Sequence, residues 1–191
     1  MLSNKAIIFC GPSGAGKTTI TKYLLAHNPI LCFSISACTR PRRNNEVAGR
    51  DYYFLSKQEF KSKIARNEFV EWEEVYEGSY YGTLESEMER IWAKHQIAIF
   101  DVDVKGGLRL KNYLKHHALA VYVKAPTLHL LTKRLLRRNM DMVQNIKHRI
   151  AKATYEASFE DQFDTTLLND KMHVTFAKVQ QLVDDFLTKT T

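Results

Sequence analysis

Residues 11–18 read GPSGAGKT and satisfy G-x-x-x-x-G-K-[ST] at every fixed position. Glycines let the backbone curl so that several N–H groups converge on one anion. A helix starting directly behind such a loop adds partial positive charge. Lys17 can then reach the outer phosphates of a nucleoside triphosphate, and the Thr18 hydroxyl can hold its Mg²⁺. A tight strand-to-helix turn alone would not require a lysine and a hydroxyl at these two positions. The loop therefore speaks for nucleotide phosphates. It does not choose among the switches, transporters, helicases and small-molecule kinases that share it.

Two further stretches carry chemistry. In IFDVDVKGG, Asp101 and Asp103 stand at the carboxyl end of an apolar run, the edge at which open α/β sheets bind ligands. If the strand continues through them, the two carboxylates are expected on opposite sides, one able to hold a metal-bound water or Lys17 and the other able to reach a second substrate. Strand-end capping is the plainer alternative. In SACTRPRRNNEVAGRDYYF, residues 36–54, three arginines crowd next to Glu46, Arg50 and two tyrosines. That composition suits nucleic acid, a solvated loop or a clamp for a small anion.

Charge distribution separates these readings. The net +7 of the 191 residues lies wholly between Lys124 and Lys152, where eight Lys or Arg accompany a single acid, Asp141. The rest of the chain is balanced, including the surroundings of residues 36–54. A general nucleic-acid binder would spread its charge over a face or a tail. A local excess fits a compact polyanion, with a solvated helix face as the alternative.

The elements that must position these residues follow from periodicity. KAIIFC, ILCFSIS, QIAIFDVD, ALAVYVKAP and FDTTLLND read as strands, and TTITKYLLAHN, ESEMERIWAKH, KGGLRLKNYLKHH, TLHLLTKRLLRRN, VQNIKHRIAKATYEASF and VTFAKVQQLVDDFL as helices. Thr127 is the expected N-cap of its helix, and Gly106 and Gly107 weaken the start of theirs. DYYFL, EFVEWEEVY and SYYGTL, with helical SKQEFKSKIARN between them, interrupt the alternation and suggest a small mixed subdomain. Apolar strands alternating with helices predict an α/β fold, a parallel sheet covered on both faces. No run of about 18 apolar residues predicts a membrane span, and the N-terminus lacks the pattern of a signal peptide. Cys10, Cys32 and Cys38 form no CxxC pair, which suits reduced thiols and a cytoplasmic setting. His95, His116 and His117 lack zinc-ligand spacing and read as surface residues.

With these motifs in order, the chain resembles the guanylate kinases, nucleoside monophosphate kinases of the P-loop kinase group, over Lys5 to about Leu187. The resemblance rests on GPSGAGKT; on Ser36, Arg40, Arg43, Glu46 and Tyr52 at the family spacing; on Glu71 in EFVEW; on Tyr81, Gly82 and Thr83 in YYGT; on FDVDVKGG; on Arg138, Asp141, Ile146 and Arg149; and on LLND, which contains Asn169. It implies transfer of a phosphoryl group from ATP to GMP with Mg²⁺ and no nucleic-acid or membrane partner, as a monomer or dimer. Gly11, Pro12, Ser13, Gly14, Ala15, Gly16, Lys17, Thr18, Arg138 and Asn169 would bind ATP. Ser36, Arg40, Arg43, Glu46, Tyr52, Glu71, Tyr81, Gly82, Thr83, Asp101 and Asp103 would bind GMP. Lys17, Arg43, Arg138 and Arg149 would act on the phosphoryl group, and Thr18 on the metal. It further implies a core of residues 1–35, 96–126 and 160–191, a GMP-binding subdomain at 36–95 and a lid at 127–159.

Several positions depart from the family pattern. Cys38 replaces a threonine and Asn45 a glycine; the glycine that usually precedes Arg138 is Arg137; and the lid's acidic pair is missing. EWEEVYEGSYYG carries one extra residue before its last glycine, expected as a longer turn. Two readings compete with catalysis: a silent binding module of the same fold, which would have a damaged loop and no lid arginines, and a related kinase for a phosphorylated sugar, which would not need Glu71, Tyr81 and Thr83.

Overall fold

The computed structural model describes residues 4–138 and 143–188, with only the backbone described at 76, 137, 138 and 143–147. The chain begins with β1 (Ala6–Cys10), α1 (Lys17–His27) and β2 (Leu31–Phe33), then β3 (Ala37–Cys38), β4 (Tyr53–Phe54), α2 (Lys57–Ala65), β5 (Phe69–Tyr76) and β6 (Ser79–Leu84). It continues through α3 (Glu85–Trp92), β7 (Ile97–Asp101), α4 (Val104–Leu114) and β8 (Ala118–Lys124). The last elements are α5 (Leu128–Arg138), α6 (Val143–Ala157), β9 (Thr165–Leu168) and α7 (Met172–Thr188).

The main sheet is parallel throughout, in the order β2-β7-β1-β8-β9. Its central strands are near-continuous apolar runs because both faces are covered. The period of two sorts β1: Ala6, Ile8 and Cys10 join Met88 and Ile91 of α3 and Val104, Leu110 and Leu114 of α4, whereas Ile7 and Phe9 join Ile20 and Leu24 of α1 and Val179 and Val183 of α7. The carboxyl ends of β1 and β7, which carry the phosphate loop and Asp101, lie side by side as neighbouring strands.

The expected strand ILCFSIS, residues 30–36, holds only the short β2, and the next strand, β3, begins just past it at Ala37. After Phe33 the chain leaves the main sheet; Ser34 N donates to Ile99 O, Ile35 N donates to the Glu87 carboxylate, and β3 belongs to a second, mixed sheet ordered β4-β3-β6-β5. Periodicity does not reveal the break because Ile35 keeps the apolar alternation. The second sheet has its own core of Ala37, Phe60 and Leu84, with Phe60 and Phe69 stacked at 4.4 Å. A reciprocal Ser56–Glu59 capping box starts α2.

The expected longer turn is absent. Tyr76 pairs with Ser79 across a two-residue connection, Glu77 and Gly78, in which Gly78 has φ 70°. The surplus is absorbed within β5, where the pairing with β6 slips between Phe69 and Glu71 and again between Glu74 and Tyr76. Such bulges re-aim side chains. Between them Glu71 faces Thr83 and Glu73 faces Tyr81.

Thr127 caps α5 as expected, its hydroxyl accepting from Leu130 N. Leu131 and Leu135 of α5 pack with Ala153 and Ile150 of α6. Asp141 lies outside the described residues, as do the side chains of Arg137, Arg138 and Ile146.

Candidate functional site

The loop after β1 turns into α1 at Gly16, whose φ of 102° is left-handed. A side chain there would also strike the Asn169 amide, 2.1 Å from an ideal Cβ. Asn169, 1% exposed, donates to Ala15 O at 2.7 Å. Arg134 spans Ala15 O and Asn169 O. The end of β9 and helix α5 therefore hold the loop from behind. The loop's tip also meets α5, since Gly14 abuts Leu131 and Leu135.

Lys17 Nζ donates to Gly11 O at 2.7 Å and lies 4.0 Å from Asp101 Oδ1. Thr18 Oγ1 donates to Asp101 Oδ2 at 2.6 Å. Asp101, which the resemblance groups with the GMP-binding residues, thus contacts the phosphate loop, the place the residues alone allowed for one of the two carboxylates. Asp103 does diverge from Asp101, but not through a continuing strand, whose period of two would have put both on one face; β7 ends at Asp101 and Asp103 already caps α4. Asp103 caps α4, its Oδ1 accepting from Gly106 N at 2.9 Å, and its Oδ2 accepts from Lys152 at 3.2 Å. The cap offsets the weak glycine start of α4.

Glu71 lies across the cleft from the loop. It is 6% exposed, accepts from Thr83 Oγ1 at 2.8 Å, and burial pushes its carboxyl up to about 7. Asp103 nearby raises it further, while the Thr83 bond and Arg109 pull it down. Gly106 makes the close approach possible: a Cβ there would stand 3.0 Å from Glu71 Oε2 and 3.2 Å from Asp103 Oδ1.

The basic stretch forms a braced arm. Arg40 makes a bidentate pair with Glu46, at 2.7 and 2.6 Å, which drives the Glu46 carboxyl down to about 2. Glu46 also accepts from Arg43 N at 2.9 Å. The Arg40 guanidinium sits 4.8 Å from the centre of the Tyr52 ring, and Tyr52 meets Tyr81 edge-on. Arg42 and Arg43 are exposed, with Arg42 bonded to Glu46 O, and Arg50 pairs with its neighbour Asp51.

A cleft of about 210 Å³ joins these parts. It is lined by Gly11, Ser13, Gly14, Gly16, Lys17 and Thr18 of the loop, by Ser36, Tyr52, Glu71, Tyr81 and Gly82 of the smaller sheet and its approach, and by Asp101, Asp103 and Arg149. Pro12, Ala15, Arg40, Arg43, Glu46, Thr83 and Asn169 stand behind or beside the lining. The sequence reading missed Glu73, Lys152 and Glu156, which also line the cleft. For Lys152 and Glu156 a signal is present in the sequence: with Arg149 they follow a three-then-four spacing, which shares one helix face.

Comparison with known proteins agrees with this geometry. A family model described as guanylate kinase matches residues 3–186. The chain is 46% identical over 183 residues to a guanylate kinase of Bacteroides fragilis, covering 96% of this chain and 90% of that one. It is 42% identical over 186 residues to the guanylate kinase of Porphyromonas gingivalis, covering 97% of this chain and 99% of that one. The crystal structure of a guanylate kinase from Anaplasma phagocytophilum shares the fold, with TM-score 0.79 and 22% identity over 100% of this chain and 89% of that one. The chain belongs to the guanylate kinase family.

Proposed function

We propose that this protein transfers the γ-phosphoryl group of ATP to GMP, giving ADP and GDP. The observation that carries the reading is that Lys17 and Thr18 of the phosphate loop line the same cleft as the buried Glu71. A carboxylate at Glu71 accepts from guanine N1–H and from the 2-amino group. Adenine lacks that donor pair and would leave a buried charge unpaired; sites built on such bonds discriminate by up to about 10⁴–10⁵-fold. Ser36 and Thr83 add hydroxyls beside the base, and Asp103 adds an acceptor for the 2-amino group.

Arg40, Arg43, Tyr52 and Tyr81 clamp the GMP phosphate. Glu46 holds Arg40 in a fixed fork, so that less side-chain freedom is lost when phosphate arrives. Lys17 and the loop amides hold the ATP phosphates, and Asn169 serves that end by fixing the loop. Thr18 and Asp101 present hard oxygens in contact with each other, a donor set that fits Mg²⁺. Mg²⁺ bound there would neutralise charge on the triphosphate. The attacking GMP oxygen is already anionic, so no general base is needed. Arg138 and Arg149, from the segment that carries the net charge, close over the phosphates and limit hydrolysis.

In this reading residues 1–35, 96–126 and 160–191 form the core, 36–95 the GMP-binding subdomain and 127–159 the lid. No helix among the described residues is long and apolar enough to cross a membrane. Cys10, Cys32 and Cys38 are unpaired thiols, which fits a cytoplasmic setting.

Purified protein with Mg-ATP should release ADP on addition of GMP, and far less with AMP, UMP or ribose phosphates. A protein that binds GMP without releasing ADP would be a silent module. ADP release with a sugar phosphate in place of GMP would reassign the second substrate.

A further inference from the structure

Arg149 has a place in the proposed chemistry; Lys152 and Glu156, which share its helix face and line the same cleft, do not. Lys152 Nζ donates to Asp103 Oδ2 at 3.2 Å and lies 3.6 Å from Glu156 Oε1. Glu156 is 5% exposed, and burial holds its carboxyl above the usual range against the pull of Lys152. One ammonium therefore bridges two carboxylates on different elements. Asp103 is no neutral anchor point, because it caps α4 and crowds Gly106 together with Glu71. Lys152 thus reaches from the lid helix to the carboxylate that neighbours the base-reading one. Elsewhere α6 packs on α5 through Ala153 and Ile150. The two helices form one unit, and Lys152 joins that unit to the junction of β7 and α4.

We propose that Lys152 is a positioning residue, which registers the α5–α6 unit to the guanine side of the cleft and so sets Arg149, one helical turn earlier, over the reacting phosphates. The inference rests on the ATP:GMP reading above. Lys152 need not touch the reacting atoms. A misplacement of about 1 Å in a group that must meet the transferring phosphoryl is enough to lower turnover by about 10²-fold. A compact ammonium with three donors suits a two-carboxylate bridge.

Steady-state ADP release with GMP tests this in Lys152→Met, Lys152→Arg and the double variant Lys152→Met/Glu156→Gln. Lys152→Met should lower kcat about 10- to 100-fold while both KM values stay within about threefold, and Lys152→Arg should recover most of the loss. The double variant removes the carboxylate that Lys152→Met leaves buried and unpaired, so it also serves as the well-folded sample. It should remain slow, because the link to Asp103 is still missing. Recovery of kcat in the double variant would reduce Lys152 to a counter-ion of Glu156 and overturn the inference, as would an unchanged kcat in Lys152→Met. A wild-type protein that releases no ADP with GMP would instead bring down the functional reading, and this inference with it.

Discussion

Replacing Glu71 by Gln should harm GMP use and stabilise the protein at the same time. The buried carboxyl is carried from 4.5 to about 7. Holding it ionised at pH 8 therefore costs about 3 kcal/mol relative to the unfolded chain. The sign follows from linkage: between those two values the folded state holds a proton that the unfolded state has lost. Stability from this group falls as pH rises from about 4.5 to 7, and stays flat above. A glutamine keeps the oxygen that accepts from Thr83 but removes the charge. Its buried amide N–H₂ needs a partner, which offsets about 1 kcal/mol of the gain. The net is about 2 kcal/mol at pH 8, or a rise in Tm of roughly 4–8 °C for a domain of this size. At pH 5, where Glu71 is already neutral, the rise should vanish. For catalysis, the ionised form is the one that accepts two guanine donors, so KM for GMP in the wild type should fall as pH rises from 6 to 8. The GMP phosphate titrates in the same range. The diagnostic is therefore the ratio of variant to wild-type KM, which should grow with pH to about 10²-fold, since a hydrogen bond to a charged group is worth about 1.5–3 kcal/mol. Thermal melts at pH 5 and 8, with ADP-release kinetics across the range, provide both readouts. A variant that melts at or below the wild type at pH 8, or a KM ratio that does not change with pH, would refute the reasoning.

Three other changes have expected outcomes. Glu46→Gln removes the bidentate brace on Arg40 and should raise KM for GMP about 10- to 100-fold, with KM for ATP unchanged, as initial rates at varied substrate would show. Thr18→Ala removes both the bond to Asp101 and the hydroxyl offered to the metal; ADP release should fall about 10²-fold without recovery at excess Mg²⁺. Asn169→Ala leaves Ala15 O with only the longer bond from Arg134, and should lower the urea midpoint by an amount equivalent to about 1–3 kcal/mol.

The main sheet was legible because β1, β7 and β8 are buried on both faces and so read as plain apolar runs. The phosphate loop was legible for the opposite reason, since its fixed residue types have no structural need for one another. What escaped notice depended on contacts between distant segments. The departure of the chain at Ser34 is set by Ile35 bonding to Glu87, 52 residues away. The bulges in β5 depend on pairing with β6 and leave no mark in the order of residues. That Asp101 and Asp103 diverge was expected, but the cause, the end of β7 at Asp101, is not written in the order of residues. Lys152 and Glu156 carried a helical spacing that could have been followed, but only their nearness to Asp103 gives the spacing a meaning.

Glu73 of β5 lies 3.5 Å from Lys105 and 2.9 Å from Arg109, both on α4, and the two basic side chains are half in water. The pairs span the seam between the smaller sheet and the larger one. Half-exposed pairs are worth about 1 kcal/mol or less, and dissolved ions weaken them. The Glu71–Thr83 bond, buried two residues earlier on the same strand, is shielded from the same ions. Ionic strength is thus a dial on one side of this junction alone: added salt loosens the pairs between Glu73 and α4 and leaves the buried Glu71–Thr83 bond unchanged.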